Sequence, residues 1–279
     1  MTFSLDELRK KGTVLLSEAT PDAGFDSEQL LYYCFGLNKT TFLLSRGGFA
    51  DEEKSKLFFE LVSRRAAGKP LQYILGDQAF LDRTYKVGEG VLIPRPETEQ
   101  LAELCIEKIN GKGCRTVYDL CAGSGCIGLS IARKCPDTQV FLIEKYGEAL
   151  DYLIKNSEGI NCSGVNVVEA DIFDFDVSSL PRPDMIVSNP PYIPSDEISS
   201  LGKEVRFEPL TALDGGKDGL DFYRCIASRW LPAIKKGGCV FFECGEGQAE
   251  MIRSMIPDGY KTEVIDDFYG AKRFVYAEL

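Results

Sequence analysis

The sequence predicts an α/β fold in which a doubly wound, mostly parallel sheet follows a small N-terminal helical domain. From about residue 98 onward, short β-branched segments alternate with segments of helical spacing, which is typical of parallel strands connected by helices. Residues 1–75 carry helical spacing without strand alternation. With 279 residues, the chain is long enough for two domains that each bury a core.

The helical domain, predicted at residues 1–75, contains three apolar clusters. Asp51 is predicted to cap the third helix, which ends at Gly68, Lys69 and Pro70. The clusters are Leu5, Leu8, Leu15 and Leu16; residues 30–33; and Leu57, Phe58, Leu61 and Val62.

A β-hairpin linker is predicted at residues 76–97. Short β-like runs separated by glycines occupy residues 73–75, 85–87 and 91–93. The change from helical to β-like spacing places the domain boundary in this region.

The second domain is predicted at residues 98–279 and opens with a helix over residues 98–110. Helices are also expected to begin at Ile127, Gly147 and Phe222. Strands are predicted at residues 116–120, 139–143, 166–168, 185–187 and 239–243. Residues 261–264 and 273–276 predict a C-terminal antiparallel hairpin, which is unusual for dinucleotide-binding folds.

Composition excludes several classes of function. Lys and Arg number 32 against 43 Asp and Glu, and the net charge of −11 disfavours stable binding to nucleic acid. The chain contains no histidine, so a histidine general base and the commonest zinc ligand are both missing. Its longest apolar run is far shorter than the ~20 residues that cross a membrane. We therefore expect no stable nucleic-acid binding and no membrane contact.

The ten cysteines include no C-x-x-C pair, so they do not predict a metal site. The N-terminus, MTFSLDELRKKG, is charged and amphipathic and does not resemble a signal peptide. We therefore expect free thiols in the reducing environment of the cytoplasm.

A glycine-containing turn follows the first strand of the second domain. It begins at Asp119, includes Gly123, Ser124 and Gly125, and opens a helix. Glycines there let the backbone approach a ligand at the carboxyl end of the strand, and the helix N-terminus offers free N–H groups. An ordinary tight turn has the same features, so this signal is weak by itself.

Acidic residues follow the next two strands at the same predicted sheet edge. Glu144 ends the second strand, where a carboxylate can accept hydrogen bonds from two ribose hydroxyls. Asp171 follows the third strand and can accept from an adenine amino group, while Ile172 covers the base. Because a full G-x-G-x-x-G pattern is missing, these residues predict an adenosine ligand without a pyrophosphate. The alternatives are an exposed strand-end carboxylate at Glu144 and ordinary loop positions at residues 171–172.

The sequence Asn189-Pro190-Pro191-Tyr192 follows the strand predicted at residues 185–187. The two prolines fix the backbone and remove two N–H donors. If the Asn189 side-chain oxygen and the Pro190 carbonyl each accept one hydrogen of an NH₂ group, the nitrogen lone pair is aimed at an electrophile. Tyr192 can stack on the planar group. The alternative is a proline-rich turn packed by tyrosine.

These two motifs, in this order, resemble those of class I S-adenosylmethionine (SAM) methyltransferases that modify amide or exocyclic nitrogens. The C-terminal hairpin fits that class. Three further blocks are similar to release factor glutamine methyltransferases, the HemK or PrmC family. They are GKPLQYILG at residues 68–76, VLIPRPETE at 91–99 and FEPLTALDGGKDG at 207–219. The combination covers nearly the whole chain and is highly specific.

The resemblance implies SAM as the cofactor and assigns roles by position. Asn189, Pro190 and Tyr192 are the expected catalytic residues, and Pro191 joins them in holding the substrate. The family often has Gly-Thr where this chain has Cys121-Ala122, and usually Asp in place of Glu144. With Asp171 added from its place in the sequence, the expected SAM contacts are Cys121, Ala122, Gly123, Ser124, Gly125, Glu144, Asp171, Ile172 and Asn189.

The implied reaction is methyl transfer to the side-chain amide nitrogen (N5) of the glutamine in the Gly-Gly-Gln motif of peptide chain release factors. The helical domain is expected to help dock this protein substrate. Because positive charge passes from sulfur to nitrogen before a proton leaves, no strong base is needed, which suits a chain without histidine. The alternatives are glutamine methylation of a ribosomal protein, N6-adenine methylation of DNA, which the net charge disfavours, and a non-catalytic SAM-binding protein, which the intact residues 189–192 disfavour.

Overall fold

The computed structural model describes residues 3–160 and 162–279. Met1 and Thr2, with which the predicted helical domain begins, lie outside the described residues. The α-helices are α1 (Leu5–Leu16), α2 (Ala23–Phe35), α3 (Lys39–Ser45), α4 (Glu52–Ala66), α5 (Leu71–Leu75), α6 (Pro96–Lys112), α7 (Cys126–Lys134), α8 (Gly147–Ser157), α9 (Asp221–Cys225) and α10 (Ala249–Met255). The β-strands are β1 (Asp77–Phe80), β2 (Arg83–Lys86), β3 (Thr116–Leu120), β4 (Gln139–Glu144), β5 (Val165–Glu169), β6 (Met185–Ser188), β7 (Cys239–Glu243), β8 (Lys261–Asp266) and β9 (Lys272–Glu278). None of the helices in these two ranges is both long and apolar enough to cross a bilayer.

The chain forms two compact units. The helical unit extends to Asp77 and also contains Gly202–Phe207. The sheet unit contains Gln78–Leu201 and Glu208–Leu279. Each unit has a hydrophobic core of its own.

Helix caps and an apolar stripe organise the helical unit. The Asp51 side chain accepts the Lys54 N–H at 3.0 Å, so Asp51 caps α4 as predicted. Leu8 and Leu16 are fully buried, whereas Leu15 and Leu57 are largely exposed, contrary to the predicted clusters. The reason is helical geometry, because a residue adjacent to a buried one is rotated by about 100° toward solvent.

A buried arginine joins the segment 202–207 to the helices of its own unit. Arg65 donates from Nε to the Asp26 carboxylate at 2.6 Å and from a terminal nitrogen to Glu204 at 2.6 Å. Arg65 and Asp26 are both buried, and a buried charge is tolerated only when it is paired. This long-range pairing has no periodic signature in the sequence.

Two of the three predicted β-like runs near the linker are not strands. Residues 73–75 belong to α5, which Pro70 precedes and Gly76 ends with a φ of 81°. Residues 91–93 are buried but irregular, because the N–H of Ile93 donates to the Glu208 carboxylate at 3.1 Å rather than to a strand. The run at residues 85–87 overlaps β2, which pairs with β1 in a two-stranded sheet.

The main sheet has seven strands in the order β5-β4-β3-β6-β7-β9-β8. The first five in this order are parallel, and β9 pairs antiparallel with both β7 and β8. The predicted parallel sheet and C-terminal antiparallel hairpin are therefore confirmed. β3 and β7 have the predicted bounds, and α6 extends the predicted helix by two residues at each end.

The sheet is covered on both faces, and its register aligns the site-bearing strand ends. Val117 packs into the core on one face, while Tyr118 and Leu120 pack into the core on the other. Leu120 lies beside Ile143 of β4 and Ser188 of β6. The loops that follow these three strands therefore leave the sheet at one edge, as expected for parallel strands that bind a ligand.

Candidate active site

A cavity in the sheet unit opens at the carboxyl edge of the parallel strands. It encloses about 910 Å³, a volume that includes the open solvent at its mouth. Among the predicted cofactor contacts, all except Gly125 line it. Those that do are Cys121, Ala122, Gly123, Ser124, Glu144, Asp171, Ile172 and Asn189.

The glycine loop after β3 turns sharply through left-handed backbone. Cys121, Gly123 and Gly125 have φ values of 61°, 56° and 79°. A side chain at Gly125 would collide with Leu153, whereas one at Gly123 would meet only a Val91 methyl at 4.0 Å. Gly125 is therefore required for packing, and Gly123 keeps the cavity wall open. Cys121 adopts a conformation that costs a non-glycine residue energy, and such strain concentrates at ligand sites.

Glu144 holds this loop in place. It is only 6% exposed, so the alternative of an exposed strand-end carboxylate is wrong. One oxygen accepts the Gly123 N–H at 2.9 Å, and the other accepts the N–H groups of Lys145 and Tyr146 at 2.8 and 2.9 Å. A carboxylate has about four acceptor sites, so one site on the oxygen nearest Gly123 is left for a ligand.

Asp119 supports the same loop from beneath. Its Oδ2 accepts the Gly128 N–H at 2.8 Å, whereas its Oδ1 is buried without a hydrogen-bond partner. Burial raises the pKa of Asp119 to about 7, against the hydrogen bond from Gly128, which lowers it. The nearby Glu144 charge raises it further.

The predicted adenine side of the cavity has an acidic rim and an aromatic wall. Asp171 accepts the Phe173 N–H at 3.0 Å and pairs with the Lys145 ammonium at 2.8 Å. Burial raises the pKa of Asp171, but these partners lower it more, so it stays below its usual value. Ile172 is buried beside them, and Phe173 packs edge-to-face on Phe222 at 5.1 Å between ring centroids. Sequence reasoning missed both phenylalanines, although Phe173 adjoins the predicted Ile172.

The segment after β6 places only part of its motif at the cavity. Asn189 and Pro191 line it, whereas Pro190 and Tyr192 are not among its lining residues. The Tyr192 carbonyl accepts from the Gln248 side chain at 2.8 Å, and burial raises the pKa of its phenol to about 12. The structure thus separates the four predicted substrate-holding residues into two at the cavity and two beside it.

The glycine-rich block at residues 215–219 packs closely against this segment. A Cβ on Gly215 would lie 2.7 Å from the Tyr192 Cα and 2.8 Å from the Pro191 carbonyl oxygen. The N–H of Gly215 donates to the Ile193 carbonyl at 2.9 Å. Only glycine leaves room for this approach, so the block sets the position of the Asn-Pro-Pro-Tyr backbone.

Two other sequence blocks meet through one carboxylate. Glu208, from the block at residues 207–219, is buried and accepts from the backbone of Ile93 and the side chain of Arg95. Both partners belong to the block at residues 91–99, and Arg95 lines the cavity. Glu208 therefore fixes the irregular chain that forms one side of the site.

Two residues that sequence reasoning missed hold the Asn189 side chain. The Asn189 amide nitrogen donates to the Thr98 hydroxyl at 3.2 Å, and Thr98 donates to the Glu243 carboxylate at 2.8 Å. Burial raises the pKa of Glu243 to about 7, while Thr98 and Arg273 oppose this shift. The available signals were the Thr inside VLIPRPETE and the acidic end of the strand predicted at residues 239–243.

The lining of the cavity suits SAM in its chemistry. Its wall is open at Gly123, it has a free carboxylate acceptor position at Glu144, and Phe173 and Phe222 provide an aromatic surface. Across residues 3–160 and 162–279, no group of three or more His, Cys, Asp or Glu residues is placed to hold a metal ion. The ten cysteines are free thiols.

Two solved structures share this architecture at low sequence identity. The hMettl16 catalytic domain, in complex with the MAT2A 3′UTR hairpin 6, has a TM-score of 0.54 and 15% identity over 79% of this chain and 91% of its own. A methyltransferase from Pyrococcus furiosus has a TM-score of 0.51 and 18% identity over 70% and 87% of the two chains. The fold is therefore that of the class I methyltransferases.

Family comparisons narrow the class. The PrmC N-terminal domain model matches residues 7–76, and the methyltransferase small domain model matches residues 97–204. A release factor glutamine methyltransferase from Thermodesulfovibrio yellowstonii is 40% identical over 79% of this chain and 80% of its own. One from Clostridium acetobutylicum is 35% identical over 90% of each chain. The chain belongs to the release factor glutamine methyltransferase family, and its reaction is SAM-dependent glutamine methylation.

Proposed function

We propose that this enzyme methylates N5 of the glutamine in the Gly-Gly-Gln motif of peptide chain release factors. The observation that carries the proposal is the placement of the Asn189 amide at the cavity, with its nitrogen bonded to Thr98. The amide oxygen of Asn189 is thereby available to accept a hydrogen bond from an incoming NH₂ group. The names of the relatives agree with this substrate.

On the acceptor side, Asn189 and Pro190 orient the nucleophile. Each accepts one hydrogen of the glutamine NH₂ group, the first through its side-chain oxygen and the second through its backbone carbonyl, so that the lone pair points at the methyl group. SAM supplies that methyl group on a positively charged sulfur. Pro191 forms the adjoining cavity wall, and Tyr192, the expected fourth residue of the substrate-holding segment, lies beside the cavity rather than in its lining. The proton is released after transfer, so a neutral site is sufficient.

On the cofactor side, the glycine loop and the carboxylates of Glu144 and Asp171 hold SAM. Cys121, Ala122, Gly123 and Ser124 face the cavity, and Gly125 holds the loop against Leu153. Glu144 offers its free acceptor position to a ribose hydroxyl. Asp171 and Ile172 flank the adenine, together with Phe173 and Phe222. This assignment is supported by the lining of the cavity and by the charge of Asp171.

The helical unit is proposed to dock the release factor. This docking role is supported by several large apolar side chains that the helical unit leaves exposed, whereas a single exposed apolar residue would need no explanation. They are Val14, Leu15, Phe25, Leu43, Leu44 and Phe49. The cytoplasm, where release factors act, is the compartment that accompanies this proposal.

The test is methyl transfer from labelled SAM to a purified release factor. We expect one methyl group per chain, located by mass spectrometry as N5-methylglutamine in the Gly-Gly-Gln motif. Replacing that glutamine with glutamate keeps its size but removes the NH₂ group. This mismatch should abolish incorporation, since sites that hydrogen-bond an NH₂ group reject analogues lacking it by about 10⁴-fold.

Ribosomal proteins and duplex DNA serve as the alternative substrates. Label on ribosomal glutamine or on adenine, with none on the release factor, would contradict the proposal. Label that persists on the glutamate variant would show that another position is methylated.

A further inference from the structure

A buried chain of hydrogen bonds lies behind the Asn189 side chain. Thr98 is the third residue of α6, Asn189 follows β6, and Glu243 ends β7, so three separate elements meet here. Thr98 and Glu243 are each only 2% exposed. Thr98 lines the cavity, whereas Glu243 lies behind it and does not.

The direction of these hydrogen bonds follows from proton counting. A threonine hydroxyl has one proton, and Thr98 donates it to the Glu243 carboxylate at 2.8 Å. An ionised carboxylate only accepts, so this direction cannot reverse while Glu243 is charged. The Thr98 oxygen can then only accept from Asn189, and the donor must be the amide nitrogen, which lies 3.2 Å away.

A side-chain amide has an oxygen that accepts hydrogen bonds and an NH₂ group that donates them, so fixing the position of one also fixes the position of the other. With its NH₂ group turned to Thr98, Asn189 presents its oxygen elsewhere. The orientation of the Asn189 amide is thus supported by its hydrogen bond to Thr98, whose own proton is committed to Glu243.

We propose that Glu243, acting through Thr98, fixes the orientation of the Asn189 amide and thereby makes the site select an amide over a carboxylate. This inference rests on the proposed role of Asn189 as an acceptor for the substrate NH₂ group. Glu243 and Thr98 are positioning residues, since they act on the substrate only through Asn189. In the reversed orientation Asn189 would present an N–H donor, which suits a carboxylate.

The surroundings of Glu243 keep its carboxylate in place. Its backbone carbonyl accepts from the Tyr223 hydroxyl at 2.6 Å. Arg273 donates to the neighbouring Cys244 carbonyl at 3.0 Å, and its charge stabilises the Glu243 carboxylate. A structural role for the pair in anchoring α6 to β7 is the competing explanation, so the test must distinguish orientation from stability.

The decisive variant is Glu243→Gln, which preserves shape but adds an NH₂ donor. The introduced side-chain amide can donate to Thr98, which frees the Thr98 proton to bond to the Asn189 oxygen and reverses the Asn189 amide. We expect kcat on the release factor to fall by about tenfold or more, with the Kd for SAM changed less than about twofold. We also expect the glutamine-to-glutamate release factor to become a stronger competitive inhibitor of this variant than of the wild-type enzyme.

A second pair of variants covers the case in which Glu243→Gln does not fold. Thr98→Val has the same shape but no hydroxyl, and Thr98→Ser restores the hydroxyl. We expect Thr98→Val to lose kcat and Thr98→Ser to recover most of it, with similar thermal stability in both. A merely structural role would lower stability without changing the preference between glutamine and glutamate.

The outcomes separate the two proposals. If the wild-type enzyme does not methylate the release factor, the proposed function fails. If it does, and both Glu243→Gln and Thr98→Val retain wild-type kcat and wild-type inhibition by the glutamate variant, the positioning role is overturned.

Discussion

The Gly123 N–H donates to the Glu144 carboxylate at 2.9 Å, so the end of β4 directly fixes the loop that follows β3. The same side chain accepts two further backbone N–H groups, from Lys145 and Tyr146. Glu144 therefore organises the glycine loop, and in the proposed function it also offers an acceptor to the cofactor. Its replacement should affect both properties.

The first prediction concerns Glu144→Ala. We expect SAM binding to weaken by about 1.5–3 kcal/mol, because charge-assisted hydrogen bonds are lost to the ribose and the glycine loop. Isothermal titration calorimetry measures the change. Glu169→Ala is the matched control, since Glu169 lies opposite Glu144 on β5 but is exposed. Equal affinities for the two variants would remove Glu144 from the site.

A second prediction contrasts two glycines of one loop. Gly123→Ala should weaken SAM binding more than folding, because its methyl group points into open cavity space. Gly125→Ala should mainly lower the free energy of unfolding, because its methyl group meets Leu153. Alanine at either position must adopt left-handed backbone, which costs roughly 1–2 kcal/mol of stability. Because this cost is common to both variants, it cancels when they are compared. Denaturant unfolding and calorimetry on both variants check the contrast, and identical profiles would contradict it.

The third prediction is that Asn189→Ala lowers turnover by about 10²–10³-fold while the protein remains folded. The reason is the loss of an acceptor for the substrate NH₂ group in the transition state. Steady-state kinetics with the release factor measure it. Asn166→Ala, on the outer strand β5, is the control and should retain full activity. Near-normal turnover of Asn189→Ala would refute the assigned role.

Asp119 gives a prediction for stability against pH. Its folded pKa of about 7 lies above its ordinary value of 3.8, so the folded protein binds this proton more tightly than the unfolded chain. The resulting stabilisation is complete below about pH 4 and is lost as pH rises to about 7, at roughly 1.4 kcal/mol per unit. Asp119→Asn should thus gain stability relative to wild type between pH 5 and pH 8. Denaturant unfolding of both proteins at pH 5 and at pH 8 tests this. A difference in the free energy of unfolding between variant and wild type that is the same at the two pH values would contradict the prediction.

Glu243 gives a prediction for activity against pH. Protonated Glu243 could donate to Thr98, so kcat should rise with pH through about 7, where Glu243 ionises. Arg273 lowers the pKa of Glu243 and Glu97 raises it, and these are the charged groups that act on it. The pH profile of kcat should flatten in Glu243→Gln. The same inflection in both proteins would assign it to another group.

The sequence alone determined most of the sheet unit. The five-residue runs Thr116–Leu120 and Cys239–Glu243 are buried throughout and bounded by turn residues, so local pattern and tertiary structure agree there. The glycine loop and Asn189 were also predictable, because parallel strands bring their carboxyl ends to one edge. The structures of residues 73–75 and 91–93 could not be predicted, because apolar runs this short fit a helix or irregular chain as well as a strand.

Only the tertiary structure decided what holds the site residues. Thr98 and Glu243 are 145 positions apart, and Glu208 reaches back 115 positions to Ile93. No periodicity records such pairings, because a buried polar group satisfies its hydrogen bonds with whichever partner the packed fold brings near. The sequence predicts that Asn189 can bind an NH₂ group. The direction of its amide depends on the tertiary structure, because the proposed positioning residue Glu243 lies on another strand.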